Sequence, residues 1–391
     1  MTHNWVYKRL GDVCSIERGG SPRPIADYIT DSPDGVNWIK IGDAKEGSKY
    51  ITSTKEKIKK EGVKKSRYVH KGDFILSNSM SFGRPYILDV DGCIHDGWLV
   101  IHDGNNVFIK DYLYYLLASP VMYSKFKQLA VGGVVNNLNS ALVRKVEVPI
   151  PDMITQEVIV KELDKINELI RLKKEQLKDY DNLAQSIFYE MFGDPIENEK
   201  GWEVKKLREV CECITDGDHM PPPKSDKGVP FVTIGSINKE TRQIEFDKTF
   251  FVPKDYFDNI PYTKKPKQGD ILYTVTGSYG IPILISYDNE FCFQRHIGLL
   301  RPNGLVNSIY LYMWASNKSV KGQADVVATG IAQKTVSLNS LRGFNITLPP
   351  LPLQQLFAQR IELIEQQKAE IQSAIADLET LLASRMQYWF D

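Results

Sequence analysis

The second half of this sequence repeats the first at domain scale. Trp5-Val-Tyr-Lys-Arg-Leu10 returns as Trp202-Glu-Val-Lys-Lys-Leu207, a shift of 197 residues (Trp5 to Trp202). Gly72-Asp73-Phe-Ile-Leu76 returns at the same shift as Gly269-Asp270-Ile-Leu272, one residue shorter, and Phe82-Gly83 with Pro85 returns as Tyr279-Gly280 with Pro282. Later in each half, Leu138-Asn139-Ser140 matches Leu338-Asn339-Ser340 at a shift of 200. Solenoid repeats run to roughly 20–50 residues, so a unit this long is a domain. A chain of 391 residues built this way folds as two related globular units, and it suits a target that itself has two related halves.

Each half closes on a helical segment. Ile159, Leu163, Ile166, Ile170, Lys173, Leu177, Tyr180, Ala184, Ile187 and Met191 are spaced alternately four and three apart, the a/d seam of a coiled coil. A shift of 198 gives Phe357, Ile361, Ile364, Lys368, Ile371, Ile375, Leu378, Leu382, Arg385 and Trp389 in the same register. Neither segment has an internal Pro or Gly. Pro149-Ile-Pro151 and Pro349-Pro-Leu-Pro352 precede the two segments, and Gly193-Asp-Pro195 stops the first. Such stripes of roughly 35 residues span about 50 Å at 1.5 Å per residue, long for helices packed only on their own domain. They are expected to pair with each other. Only an antiparallel pair lets the second globular unit begin where the first helix ends without spanning back along the coil. The expected boundaries are a first globular unit over 1–151, a helix over 152–195, a second globular unit over 196–349 and a helix over 350–391, with pseudo-two-fold symmetry and an α+β fold of two mixed α/β domains.

Short β-type runs dominate the globular segments: Val36 to Ile41, Phe74 to Leu76 and Tyr86 to Leu88, then Pro230 to Ile234, Ile271 to Tyr273 and Ile283 to Ile285. One helix stands out in each, over Asp111 to Ala118 and Ser308 to Ala315, while the lysine-rich stretch from Lys55 to Lys65 reads as a loop or exposed helix. Charge is divided along the same lines. Residues 1–151 hold 21 Lys+Arg against 16 Asp+Glu and residues 201–350 hold 18 against 15, whereas 152–200 hold 7 against 12 and 351–391 hold 3 against 6. The net charge of zero is therefore +8 on the globular segments and −8 on the helical ones. A polyanion is drawn to the former and repelled by the latter. No signal peptide and no apolar run near the roughly 18 residues of a membrane span is visible. Five cysteines without framework spacing fit a reduced, cytoplasmic setting, with Cys14 and Cys211 as small buried apolar residues.

No catalytic or metal motif stands out. There is no Gly-rich fingerprint after a strand and no Gly-x-x-x-x-Gly-Lys-Ser/Thr, and the six histidines form no metal-type pair. What each unit does offer is polar, glycine-bearing loops. In the first these are Arg18-Gly-Gly-Ser-Pro-Arg23 and Ser77-Asn78-Ser79-Met-Ser81-Phe-Gly-Arg84. In the second they are Asp216-Gly-Asp-His219-Met-Pro-Pro-Pro-Lys224 and Thr274-Val-Thr276-Gly-Ser278-Tyr279-Gly280, with Gln294-Arg295-His296 as a further cluster of donors. Side chains of these types read base edges, and glycine lets backbone approach phosphate. Candidate DNA-binding residues are Arg23, Asn78, Ser79, Ser81 and Arg84 in the first unit, and His219, Lys224, Thr276, Ser278, Tyr279, Gln294, Arg295 and His296 in the second. An alternative is a coiled-coil scaffold carrying two protein- or ligand-binding modules.

The sequence resembles the specificity (S) subunit of type I restriction–modification systems over nearly its whole length. The resemblance rests on Trp-x-x-x-x-Leu-x-x-Val at the start of each unit, Gly19-Gly-Ser-Pro22 before Val36-Asn-Trp38, and Gly217-Asp-His219 before Gly228-Val-Pro-Phe231. Gly269-Asp-Ile-Leu272 leading to Gly277-Ser-Tyr-Gly280, Met191-Phe-Gly-Asp-Pro195 and Pro349-Pro-Leu-Pro-Leu-Gln-Gln355 extend it, while Arg84 stands where the second unit has Ile281. It implies two target-recognition domains, each reading half of a bipartite double-stranded DNA sequence. The helical pair sets the gap and docks two modification (methyltransferase) subunits, through which restriction subunits join. It also implies a non-catalytic chain without a cofactor of its own, S-adenosylmethionine and methylation residing in the partners. Half-sites read from one side of a duplex lie about 34–36 Å apart.

Overall fold

The computed structural model describes residues 5–45, 47–78, 83–130, 138–330 and 333–391. Candidate residues Ser79 and Ser81 lie outside them. The chain divides into two compact units: Met1–Lys174 together with Gln372–Asp391, and Glu175–Ile371. Two helices, α1 (Met153–Phe192) and α2 (Leu351–Phe390), are each 40 residues long and give one half to either unit. The fold class is α+β, as the mixture of short β runs and long helices implies.

In the first unit a five-stranded sheet runs in the order Ser15–Arg18, Trp98–His102, Phe74–Ser77, Pro85–Leu88, Tyr50–Ile51. Its central strands are buried along their whole length, Phe74–Ser77 and Pro85–Leu88 alike. Strand side chains alternate between faces, and the two faces have different neighbours. Phe74, Leu76, Ile87, Leu99 and Ile101 pack on the helix Lys110–Ala118 and on Ile159 and Leu163 of α1. Ile75, Tyr86, Leu88, Trp98 and Val100 pack against Ile39, Val69 and Ile94 of a second five-stranded sheet. The second unit repeats the plan with four and three strands. Ile271, Tyr273 and Leu300 face the helix Ser308–Ser316, while Leu272, Ile283 and Leu299 face Val232 and Phe293. In each unit the first strand pairs antiparallel with the last, Val6–Arg9 with Glu147–Ile150 and Glu203–Lys206 with Asn345–Leu348.

Polar side chains that bond to backbone repeat with the frame. The Ile109 N–H donates to Gln156 Oε1 at 2.7 Å, and Gln156 Nε2 donates to the carbonyls of Val107 and Pro151. Likewise the Asn307 N–H donates to Gln354 Oε1 at 2.9 Å, and Gln354 Nε2 donates to those of Leu305 and Pro349. These glutamines peg the start of each long helix to its own domain and satisfy backbone groups that burial would otherwise strand. Tyr112 and Tyr310 donate to the carbonyls of Pro149 and Thr347, and Arg144 and Arg342 to those of Ile16 and Ile214. Cys14 and Cys211 are buried in the matching places, where burial, with smaller charge effects, pushes both thiols up to about 12.

The helix halves pair antiparallel within each unit. In the first unit Arg385 and Trp389 of α2 donate to Glu162 of α1, and Lys174 reaches Glu379 at 2.8 Å. In the second, Lys368 pairs with Asp181 at 2.8 Å, and Phe188 and Phe192 pack on Phe357. Partners on α2 recede along the chain as α1 advances. Ile159, Leu163, Ile166, Ile170, Phe357, Ile361, Ile364, Ile371 and Ile375 are buried, as the heptads require.

The structure departs from the sequence reading in two places. Towards the ends of the helices, seam positions Ile187, Met191, Arg385 and Trp389 are half-buried, while the residues one step on, Phe188, Phe192, Met386 and Phe390, are buried. An α-helix of 3.6 residues per turn drifts about 20° per heptad from a 3.5-residue seam, and here the drift carries the stripe into the domain cores. Leu177, Leu378 and Leu382 are also half-buried. The second departure is Lys55 to Lys65, which is neither loop nor exposed helix throughout. Glu56–Ile58 is a strand of the second sheet with Ile58 wholly buried, and only Lys60–Val63 is helical. The lysines that flank Ile58 mask this single inward-facing residue.

Candidate nucleic-acid interface

Strand register places the polar loops at one end of each main sheet. In the first unit Leu99 pairs with Arg18, Trp98 with Ser77 and Leu76 with Pro85. The connections after Arg18, after Ser77 and before Trp98 therefore emerge side by side. The second unit has the same arrangement, with Gly298 opposite Asp216, Ile297 opposite Thr274 and Pro282 opposite Tyr273.

One turn is common to both. Gly83 and Gly280 adopt positive φ, 77° and 87°, where an L side chain is strained. Their N–H groups donate to the carbonyls of Ser77 and Thr274. The next N–H groups, of Arg84 and Ile281, donate to the hydroxyls of the same Ser77 and Thr274 at 3.0 Å. The departure between Arg84 and Ile281 thus changes what the turn presents and leaves its backbone alone. Close approach fixes a second pair of glycines. A Cβ on Gly19 would lie 2.2 Å from the His95 carbonyl oxygen, and one on Gly217 1.8 Å from that of Phe293.

Asp96 organises the loops of the first unit. Its carboxylate accepts from Ser21 Oγ at 2.9 Å, meets His95 Nε2 at 2.9 Å and faces Arg23 Nη2 at 3.5 Å. Its backbone carbonyl accepts from Arg18 Nε and from Asn78 Nδ2, both at 3.0 Å. Burial opposes its ionisation. The Ser21 hydroxyl and the charges of His95, Arg18 and Arg23 outweigh that, holding the carboxyl below its ordinary value. Asn78 is buried and its amide nitrogen donates into this turn, whereas Arg23 and Arg84 are exposed.

The second unit gathers its candidates around Asp216, Asp218 and the turn at Gln294–His296. His219 Nε2 lies 2.8 Å from Asp216 Oδ2, and Lys264 Nζ donates to the Gly217 carbonyl at 3.0 Å. The Arg295 N–H donates to the Asp218 carbonyl at 3.0 Å, and Tyr256 Oη to Asp218 Oδ2 at 2.5 Å. Partial burial, with the nearby charges of Arg295 and His219, lowers the His296 pKa, which favours neutral imidazole. Thr276 is buried against Thr335, while Tyr279 donates to Asp325 at 2.8 Å under the Lys321 ammonium. The Val275 N–H donates to the His296 carbonyl at 2.9 Å and ties this loop to the turn, and the Ser278 carbonyl accepts from the Thr274 hydroxyl. Lys224 stands over the Phe250 ring of the second sheet.

Sequence reasoning singled out the loop that holds Ser21 but missed His95 and Asp96, and in the second unit Tyr256 and Lys264. The turn His95-Asp96-Gly97 occupies the place of Gln294-Arg295-His296, a shift of 199 residues (His95 to Gln294), and following the repeat through Trp98 and Ile297 would have found it.

Comparisons with known proteins agree on one family. The model of the type I restriction modification DNA specificity domain matches twice, over residues 2–179 and 199–379. The type I restriction enzyme MjaIX specificity subunit of Methanocaldococcus jannaschii is 22% identical, over 90% of this chain and 85% of its own length. The EcoKI specificity subunit of Escherichia coli K12 is 19% identical over 93% and 82%. A chain solved in work on complex assembly and conformational transition of the type I R-M system shares the fold, with a TM-score of 0.60 and 20% identity over 98% of this chain and 96% of its own.

Proposed function

This chain belongs to the type I restriction modification DNA specificity family, and from that premise we propose that the sheet-end loops of its two units read the two halves of a bipartite DNA target. The observation that carries this reading is the convergence of matching loops on one sheet end in both units, on a frame of repeated backbone bonds but with different side chains. Arg, His, Asn, Gln and hydroxyl groups are the types that pair with base edges, and an exposed lysine such as Lys224 is suited to a phosphate. In this reading α1 and α2 fix the unread gap and dock two modification subunits, through which restriction subunits join. Methylation, with S-adenosylmethionine, takes place in those partners, and this chain supplies the address.

Binding of the full chain to duplex DNA tests the proposal directly. Affinity is expected to fall steeply with salt, as release of counterions from contacted phosphates requires, and to survive competition by unrelated duplex. Affinity indifferent to salt and to sequence would leave two binding modules on a coiled-coil scaffold.

A further inference from the structure

The turn before the strands at Trp98 and Ile297 carries opposite chemistry in the two units. In the first unit it presents Asp96, whose carboxylate is already engaged by Ser21, His95 and Arg23. In the second the same place holds Arg295, which is exposed and whose guanidinium makes no hydrogen bond or ion pair among the described residues. Its backbone is nevertheless fixed. The N–H of Gln294 donates to the Val232 carbonyl at 3.1 Å, that of Arg295 to the Asp218 carbonyl at 3.0 Å, and that of Ile297 to the Gln294 carbonyl at 3.1 Å. A guanidinium held on a fixed turn at the sheet end, with its donors uncommitted, is prepared for a planar pair of acceptors outside the protein.

We propose that Arg295 reads a guanine in the half-site of the second unit, donating in bidentate fashion to O6 and N7. The inference rests on the reading that these sheet-end loops face DNA. Guanine is the base that offers two acceptors side by side in the major groove, which the fork of arginine matches and the point charge of lysine does not. Asp96 excludes this pairing from the corresponding turn of the first unit, because a carboxylate repels the same two acceptors. That unit must therefore specify its bases with other groups, such as the arginines that Asp96 holds.

Selection of the full chain against duplexes with randomised positions, at one fixed salt concentration, tests the assignment. Wild type should enrich a guanine within one half of the selected sequence. R295K keeps the charge and loses the fork, and it should reduce that enrichment about tenfold or more while the other half stays as selected. R295A should show the same loss. Arg295 is exposed, so both variants should melt with wild type. An even loss of affinity on all sequences in R295A, restored in R295K, would make Arg295 a phosphate contact and overturn the assignment while leaving DNA reading in place. Unchanged selection in both variants would also overturn it. A wild-type chain that selects no sequence would instead defeat the reading on which the assignment rests.

Discussion

One motif shows how far single residues can be read. Gly72-Asp73 and Gly269-Asp270 make the same turn, the carboxylates accepting from the N–H groups of His70 and Lys267 at 2.8 and 3.0 Å. The partner across the sheet differs. Asp73 faces the exposed His102 at 3.5 Å, while Asp270 and Arg301 form a pair only 1% exposed, bidentate at 3.0 and 2.8 Å. Removing one member of a buried pair strands the other charge, so Arg301→Met should destabilise the second unit by about 3–5 kcal/mol in urea unfolding. A loss under 1 kcal/mol would mean that water reaches Asp270. The repeat exposed this turn in the sequence, yet not its partner, which lies 31 residues away on another strand. For the same reason Gln294-Arg295-His296 could be singled out as a cluster of donors while Asp96 could not, since its partners Arg18, Ser21 and Asn78 are contributed by distant strand ends. His296 adds a pH dependence. Its folded-state pKa lies below the ordinary 6.5, so the unfolded chain binds the proton more readily. Its contribution is intact above pH 6.5 and is lost as the pH falls below that value. His296→Gln should flatten the stability profile in that window, and an unchanged profile would count against the shift.

At the scale of elements the period of the pattern decided what could be read. Short apolar runs between turn residues located the central strands, because each is buried on both of its faces. The lysine-rich strand Glu56–Ile58 escaped because only Ile58 turns fully inward. The heptads located both long helices and their pairing, but a strict 3.5-residue rule put the stripe one residue out at the helix ends. Phe188 and Phe192 are 2% and 1% exposed, and Phe188 stacks on Tyr310 with ring centres 5.6 Å apart. Phe188→Ala should therefore cost about 3–5 kcal/mol in chemical denaturation, more than Ile187→Ala at the heptad position. The reverse order would restore the strict seam. At the buried seam position Ile170, Ile170→Asp buries an unpaired charge and should destabilise by more than about 2 kcal/mol. The Arg385 hydrogen bond, helped by Trp389, lowers the Glu162 pKa. That stabilisation is present above the ordinary glutamate value and disappears as the pH falls through the lowered one, so Glu162→Gln should cost about 1 kcal/mol at neutral pH and nothing in strong acid.

For the molecule as a whole, duplication and the division of charge were plain from the sequence, and they already separated two basic reading parts from two acidic helical ones. Which loops are candidates to read came only from strand register, since loops distant in the chain meet at one sheet end. If α1 and α2 set the gap, one heptad inserted at matching places in both adds about 10.5 Å of helix. The unspecified gap should then lengthen by about three base pairs at 3.4 Å each. The most direct measurement is the methylation map of a host that carries this chain with its modification subunits, compared with a chimera whose residues 201–349 come from a relative of different specificity. Two separated blocks of fixed bases are expected, and the chimera should change one block and keep the other. A single continuous block, or a change in both blocks at once, would contradict two independent readers on one frame.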